Sequence, residues 1–133
     1  MKKLGIWMDK REAHLVDASG PEMQMTSLSS EVEDFRPKGG SGTRMKGGPQ
    51  DVVQDSRYLE REKHQMRGYF ERLTTAMEPF DRIVLFGPAQ AAEDFKRFLD
   101  ERARDQAAKV ADVKRADSMT PNQVKAWVRE YFD

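Results

Sequence analysis

The stretch Arg82-Ile83-Val84-Leu85-Phe86-Gly87-Pro88 decides the fold. Its four consecutive apolar side chains predict a strand buried on both faces, which is typical of strands covered by helices. Gly87-Pro88 ends the strand and predicts a helix over 89–103, because proline suits a first helical turn. Before the strand, an apolar stripe with a spacing of about 100° per residue predicts a helix over 55–78, which Pro79 ends. The stripe consists of Leu59, Met66, Phe70, Leu73 and Met77.

Three strands are predicted upstream, over 3–9, 12–18 and 22–32. The short link Asp9-Lys10-Arg11 predicts a hairpin between the first two strands, and Ser19-Gly20-Pro21 predicts the next turn. Strands joined by such short links form an antiparallel meander, which needs no crossover connection.

The C-terminal part predicts one more strand, over 107–114, and a last helix. Thr120 is the expected N-cap of that helix, with Pro121 in the first position and Gln123 completing a capping box. The order β-β-β-α-β-α-β-α indicates a single α/β domain over 1–133, with a mixed five-stranded sheet flanked by helices.

Composition narrows the possible functions. The chain has 133 residues, and 23 basic and 23 acidic side chains give it a formal net charge of zero. Any attraction to phosphate must therefore come from local clustering. The absence of cysteine and the presence of only two histidines exclude disulfides, thiolate metal sites and histidine-rich metal sites, so we expect no cofactor and no metal. No apolar run is long enough for a secretory signal or a membrane span, which predicts a cytoplasmic protein without a membrane partner.

The regular pattern stops between about residues 34 and 54, where five of the nine glycines lie. Because glycine maximises backbone entropy and little apolar surface offsets it, we predict a flexible loop there. Residues 36–50 carry four basic side chains and no acidic one. Free amides and cationic side chains are the groups that hold phosphate. The candidate phosphate-binding residues are Lys38, Gly39, Gly40, Arg44, Lys46, Gly47 and Gly48.

The predicted helix after the loop carries a ridge of Arg57, Arg61, His64 and Gly68 on the side opposite its apolar stripe. Arg57 and Arg61 are therefore added to the candidate site. A glycine-rich basic loop that leads into a basic helical ridge would fit an RNA backbone. Exposed helix faces are normally charged, however, and a solvated linker followed by a solvated helix explains the same pattern.

The sequence resembles the central domain of archaeal and eukaryotic class-1 peptide release factors and, more closely, its small bacterial relatives, which are described as translational machinery proteins. The resemblance covers essentially the whole chain and implies a ribonuclease H-like arrangement and a ribosome or structured RNA as partner. It rests on the element order and on four stretches: Gly5-Ile6-Trp7-Met8-Asp9, Gly47-Gly48-Pro49-Gln50, Phe86-Gly87-Pro88-Ala89 and Ala116-Asp117-Ser118-Met119-Thr120.

In the release factors, a Gly-Gly-Gln tip helps water to attack the peptidyl-tRNA ester. Here Ser41 follows the first glycine pair, and Pro49 separates the second pair from Gln50. Proline fixes φ and removes an amide donor, so Gln50 cannot adopt the same backbone geometry directly. The sequence therefore favours a non-catalytic ribosome- or RNA-associated domain, with Gln50 as the only catalytic candidate in a variant peptidyl-tRNA hydrolase.

Two further functions stay open. A ribonuclease H-like nuclease would need carboxylates converging on two metal ions, for which Asp9 and Asp17 are the strand-end candidates. Asp9 is equally typical of a turn former. A protein-interaction module without RNA binding would use adaptable methionine contacts, although core packing accounts for most of the eight methionines.

Overall fold

The computed structural model of the chain describes residues 1–30 and 48–133, with side chains described for residues 1–30 and 63–133. This part of the chain forms five strands and four helices. The strands are β1 (Lys3–Met8), β2 (Glu12–Asp17), β3 (Gln24–Ser29), β4 (Arg82–Gly87) and β5 (Val110–Arg115). The helices are α1 (Gly48–Met77), α2 (Ala91–Arg102), α3 (Arg104–Ala107) and α4 (Pro121–Phe132).

The five strands form one sheet in the order β3-β2-β1-β4-β5. β1 pairs antiparallel with β2, and β2 pairs antiparallel with β3, as a meander requires. β4 pairs parallel with β1, and β5 pairs parallel with β4, because α1 and α2 each return the chain before the next strand begins. The mixed five-stranded α/β sheet predicted from the sequence is therefore confirmed.

Helices cover both faces of the sheet. On one face, residues of β1 and β4 pack against α1 and α2, with Phe70, Leu73 and Phe95 among the buried side chains. On the other face, α4 contributes Val124 and Val128 to a smaller cluster. β4 supplies side chains to both clusters, which confirms the double burial predicted from its apolar run.

Glycine is required at two contacts that set the distances between these elements. A Cβ atom on Gly5 of β1 would collide with the methyl groups of Val128, so α4 lies directly on the sheet. Gly87 has φ of 148°, and a Cβ atom there would collide with the carbonyl oxygen of Met8. The end of β4 is thus pressed against the end of β1 in a conformation that other residues rarely adopt.

The structure corrects the predicted start of the first helix. α1 begins at Gly48 and not at residue 55, so residues 48–54, including Gln50, are helical and do not belong to a loop. Gly48 and Pro49 were interpreted as loop-forming residues. Proline is tolerated in a first helical turn, because an amide there would have no partner within the helix. The rest of the predicted loop, residues 34–47, lies outside the described residues.

Two corrections concern the region after β4. α2 begins at Ala91 with Gln90 as its N-cap, so Pro88 precedes the helix and does not form its first turn. Ala89 has φ of 54°, which is incompatible with a helix and delays its start. The short helix α3 was not predicted, because four residues are too few to show a periodic pattern.

Candidate nucleic-acid interface

The structure describes the predicted site residues unequally. Gly48 is the first residue of α1, and Arg57 and Arg61 lie further along the same helix, but the side chains of both arginines are outside the described part. The other six predicted residues lie outside the described ranges altogether. They are Lys38, Gly39, Gly40, Arg44, Lys46 and Gly47. The geometry of the region is therefore built from the residues at which the chain leaves β3 and from the described part of α1.

The end of β3 is fixed between two other elements. The Ser30 amide donates to the Arg11 carbonyl oxygen at 2.8 Å, and the Arg72 guanidinium donates to the Ser30 carbonyl oxygen at 3.5 Å. Ser30 itself is only 1% exposed. The chain therefore leaves the sheet at a defined point, next to the β1–β2 hairpin turn and the C-terminal part of α1.

The β1–β2 turn is held in place from within and from α1. One carboxylate oxygen of Asp9 accepts hydrogen bonds from the amides of Arg11 at 2.8 Å and Glu12 at 2.9 Å. The Tyr69 hydroxyl donates to the Asp9 carbonyl oxygen at 3.0 Å. Asp9 is thus the turn former that its position in a tight hairpin link suggested, and the turn is attached to the helix.

Five exposed basic side chains belong to the hairpin turn and to the part of α1 whose side chains are described: Lys10, Arg11, Lys63, Arg67 and Arg72. We call this group the basic end. Lys10 and Arg11 occupy the hairpin turn, whereas the other three belong to α1. Lys63 lies six residues before Tyr69, which corresponds to about 9 Å along the helix axis. Glu12 and Glu71 are also exposed here, so the basic end contains both signs of charge with cations in excess.

Sequence reasoning did not assign the basic end. Lys10 and Arg11 were interpreted only as part of a tight turn, and nothing in their sequence neighbourhood connects them with Arg72. The only local signal for this site is that Lys10 and Arg11 are adjacent cations in the short link between two predicted strands. His64, which was placed on the solvent-facing ridge of the helix, is exposed as predicted.

The Tyr69 hydroxyl stays protonated and so maintains its hydrogen bond to the β1–β2 turn. Burial raises the pKa of the Tyr69 phenol far above its usual value, and the nearby carboxylates of Asp9 and Glu12 raise this pKa further, against a smaller opposite effect of Arg72. The phenol is therefore neutral at physiological pH and remains a hydrogen-bond donor to the turn. The exposed cations of the hairpin consequently sit on a fixed support.

The described carboxylates do not form the converging set that a two-metal nuclease needs. Asp9 follows the end of β1, whereas Asp17 pairs with Leu4 near its start, which separates the two aspartates by about 16 Å along the strand. The described residues contain no group of three or more acidic or histidine side chains placed to hold a metal ion. The nuclease interpretation therefore has no structural support in this part of the chain.

A strand that ends in glycine before a helix can form an anion site at the helix N-terminus, and Gly87-Pro88-Ala89 has this pattern. The observed geometry gives Gly87 another role, because its lack of a side chain allows the close approach to Met8. The tight strand–helix connection is thus sufficient to explain this glycine. Within the described ranges, no helix combines the length and the apolar character needed to cross a bilayer.

Comparison with known proteins gives a relationship at the level of fold. No protein-family model matches the sequence, and no curated protein matches it. The Thermoplasma acidophilum Pelota protein is similar in structure, with a TM-score of 0.58 at 15% sequence identity over 97% of this chain. Dom34 from S. cerevisiae, described as a translation termination-like factor involved in RNA quality control pathways and interacting with Hbs1, gives a TM-score of 0.45 at 8% identity over 97% of this chain. The alignments cover 32% and 36% of those two proteins, so this chain spans about a third of their length. The described α/β fold is therefore shared with one domain-sized part of Pelota.

Proposed function

We propose that this chain is a non-catalytic, translation-related domain that binds the ribosome or structured RNA in the cytoplasm. The binding surface is the basic end together with the adjoining segment 36–50. One observation carries the proposal: Ser30, at the exit from β3 toward that segment, is hydrogen bonded to both Arg11 and Arg72. The β1–β2 turn and α1, which carry cations far apart in the sequence, therefore meet at Ser30.

The physical basis is local charge. A formal net charge of zero gives no long-range attraction to RNA, so binding has to depend on clustered cations. The segment 36–50 carries four basic residues and no acidic one, and the basic end adds cations on a rigid support. Phosphate contacts of this kind release counterions and depend strongly on salt.

Within this proposal, Lys38, Arg44 and Lys46 contact phosphate groups, and Arg57 and Arg61 extend the contact along α1. Gly39, Gly40 and Gly47 allow the backbone to approach the ligand closely. Gly48 is the first residue of α1, and the first amides of a helix have no partner within it. In this proposal Gly48 therefore offers its backbone amide to a phosphate group. The resemblance to the central domain of release factors supplies the translational context.

The ribonuclease H-like arrangement that the resemblance implies is also part of the proposal. The three-stranded antiparallel meander followed by two parallel strands supports it. Catalysis is not assigned to Gln50. It lies in the first turn of α1 directly after Pro49, so it is not at the tip of a glycine loop as in the release factors. Gln50→Ala is therefore expected to leave ribosome binding unchanged.

Ribosome co-sedimentation over a range of salt concentrations tests the proposal. The triple variant Lys38→Ala, Arg44→Ala and Lys46→Ala should weaken binding and reduce the slope of log K against log salt by about 2–3, since each phosphate contact contributes roughly 0.7–0.9. The double variant Lys63→Ala and Arg67→Ala should reduce the slope by about 1.4–1.8 on the same basis. Both residues of the double variant are exposed, so the fold should persist.

The matched control is the double variant Arg104→Ala and Arg129→Ala, which removes two exposed cations from α3 and α4. It should bind as tightly as the unmodified chain and show the same salt slope. Equal binding by all of these variants would refute the proposed surface and favour a protein-interaction module. An equal loss in all of them, control included, would indicate unspecific charge attraction.

A further inference from the structure

A groove on α4 lies outside the surface discussed above. Its lining comes from α4 and from the chain that leads into this helix: Ser118, Met119, Gln123, Ala126, Trp127 and Glu130. We call it the α4 groove. The proposed RNA-binding surface makes no use of these residues, so the α4 groove calls for an explanation of its own.

One wall of the α4 groove is fixed by hydrogen bonds. The Ala116 amide donates to the Gly87 carbonyl oxygen at 2.9 Å, and the Trp7 indole donates to the Asp117 carbonyl oxygen at 3.5 Å. The Thr120 amide donates to the side-chain oxygen of Gln123 at 2.9 Å, which completes the capping box. The segment that precedes α4 is therefore anchored to the sheet at one end and to the helix at the other.

The floor of the α4 groove includes an aromatic ring held in one orientation. Trp127 stacks on Phe86 with 3.8 Å between ring centroids and 12° between ring planes. Tyr131, one turn further along α4, lies nearly parallel to the Trp127 ring at 5.7 Å. Trp127 stays half-buried, so the ring is supported from the sheet while part of it borders the groove.

The rim of the α4 groove carries a negative charge. Glu130 is exposed, and its carboxylate forms no ion pair with any residue in the described part of the chain. The basic residues of the same helix face elsewhere, because Arg129 and Lys125 are rotated by about 100° and 140° from Glu130 around the helix axis. Lys114, which pairs in register with Phe86, also makes no ion pair with Glu130 among the described residues.

We propose that the α4 groove binds an arginine or lysine side chain presented by a partner polypeptide. The carboxylate of Glu130 attracts a cation through its charge, and the part of Trp127 that borders the groove offers apolar surface to the aliphatic part of the side chain. The thioether of Met119 and the methyl group of Ala126 suit the aliphatic part of such a side chain. A nucleotide fits less well, because the carboxylate of Glu130 repels phosphate. This proposal does not depend on the RNA-binding function.

A peptide titration followed by NMR tests the proposal with a built-in reference. The probe is the tripeptide acetyl-Ala-Arg-Ala-amide, added to the full chain while the Trp127 indole N–H signal and the Leu73 backbone amide signal are observed. Trp127 borders the groove, whereas Leu73 is buried on the other face of the sheet and serves as the internal reference. The Trp127 signal should shift in a saturable manner and the Leu73 signal much less. The corresponding peptide with glutamine in place of arginine should produce no saturable shift.

The variant Glu130→Gln separates the charge contribution from packing. It should raise the dissociation constant of the arginine peptide by about two- to fivefold, as expected for an exposed ion pair. Glu101→Gln, an exposed substitution on α2, is the control that should leave the affinity unchanged. A flat titration, equal binding of the glutamine peptide, or unchanged affinity in Glu130→Gln would each overturn the proposal. A Trp127 shift with adenosine and none with the arginine peptide would also overturn it and assign the groove to a nucleobase.

Discussion

The hydroxyl of Tyr69 donates a hydrogen bond to the backbone carbonyl oxygen of Asp9 at 3.0 Å. The two residues are 60 positions apart, and this bond joins the C-terminal part of α1 to the turn between β1 and β2. The aromatic ring of Tyr69 is completely buried in the core beneath the sheet. The bond therefore couples the packing of α1 to the position of the two cations in the turn.

Replacing Tyr69 with phenylalanine keeps the ring and removes only the hydroxyl group. Because the Asp9 carbonyl then loses a partner in a partly buried position, we expect the free energy of unfolding to fall by about 1–3 kcal/mol. Urea denaturation measures this change. Tyr131→Phe is the control, since its hydroxyl contacts Asp112 at an exposed position and water can replace the lost partner. A larger loss in Tyr131→Phe than in Tyr69→Phe would contradict the role given to the buried bond.

Stability should also decrease at alkaline pH because of Tyr69. Burial raises the pKa of this phenol in the folded state, with Asp9 and Glu12 contributing in the same direction. The unfolded chain therefore loses the proton first, and the stabilisation, complete at lower pH, begins to fall once the pH exceeds about 10. Melting temperatures between neutral and alkaline pH should fall less steeply in Tyr69→Phe. Parallel curves for the two proteins would show that another group causes the alkaline loss.

Gly87→Ala should destabilise the fold strongly. The residue has φ of 148°, and the added methyl group would collide with the carbonyl oxygen of Met8. The backbone conformation alone predicts a loss of about 1–3 kcal/mol, and the collision adds to it. Gly20→Ala is the matched control, because nothing lies within 4 Å of its added methyl group. Thermal unfolding should therefore distinguish the two variants clearly, and equal melting temperatures would show that the approach of β4 to β1 tolerates a side chain.

Thr120→Ala should lower the free energy of unfolding by about 1 kcal/mol through loss of the N-cap of α4. The Gln123 amide donates to the Thr120 hydroxyl at 3.3 Å, and the alanine variant leaves that amide without this partner. Ser118→Ala, two residues earlier and outside the capping box, should change stability by less than about 0.5 kcal/mol. Chemical denaturation of both variants checks the difference. Identical stability in the two would mean that the cap contributes nothing measurable.

Local sequence patterns were sufficient where one element contains all the information. The capping box at Thr120 and Gln123 was predicted from spacing alone and is present. The buried strand at 82–86 was recognised from its apolar run, and β4 occupies Arg82–Gly87. The inward positions Phe70 and Leu73 followed from helical periodicity, and both side chains are in the core. Each of these signals arises from interactions within a few residues or from one continuous buried face.

Local patterns gave the wrong starting residues for two helices, because glycine and proline occupy positions there that differ from their usual ones. Gly48 and Pro49 indicated a loop, yet α1 begins there. Pro88 indicated a helix start, yet the positive φ of Ala89 moves the start of α2 to Ala91. Composition describes an average tendency of such residues, whereas neighbouring elements determine which of the allowed backbone conformations is adopted.

The sequence by itself determined the α/β class, the mixed five-stranded sheet, and the concentration of positive charge in residues 36–50. Only the tertiary structure brought the Arg11 backbone and the Arg72 side chain together at Ser30, and only it packed α4, with its groove, against the sheet. The physical reason is the range of the interactions. Periodicity and capping act over a few residues, whereas the basic end combines segments that are distant in the sequence. The lining of the α4 groove lies within residues 118–130, but its place beside the sheet depends on the packing of α4 against β1 and β4.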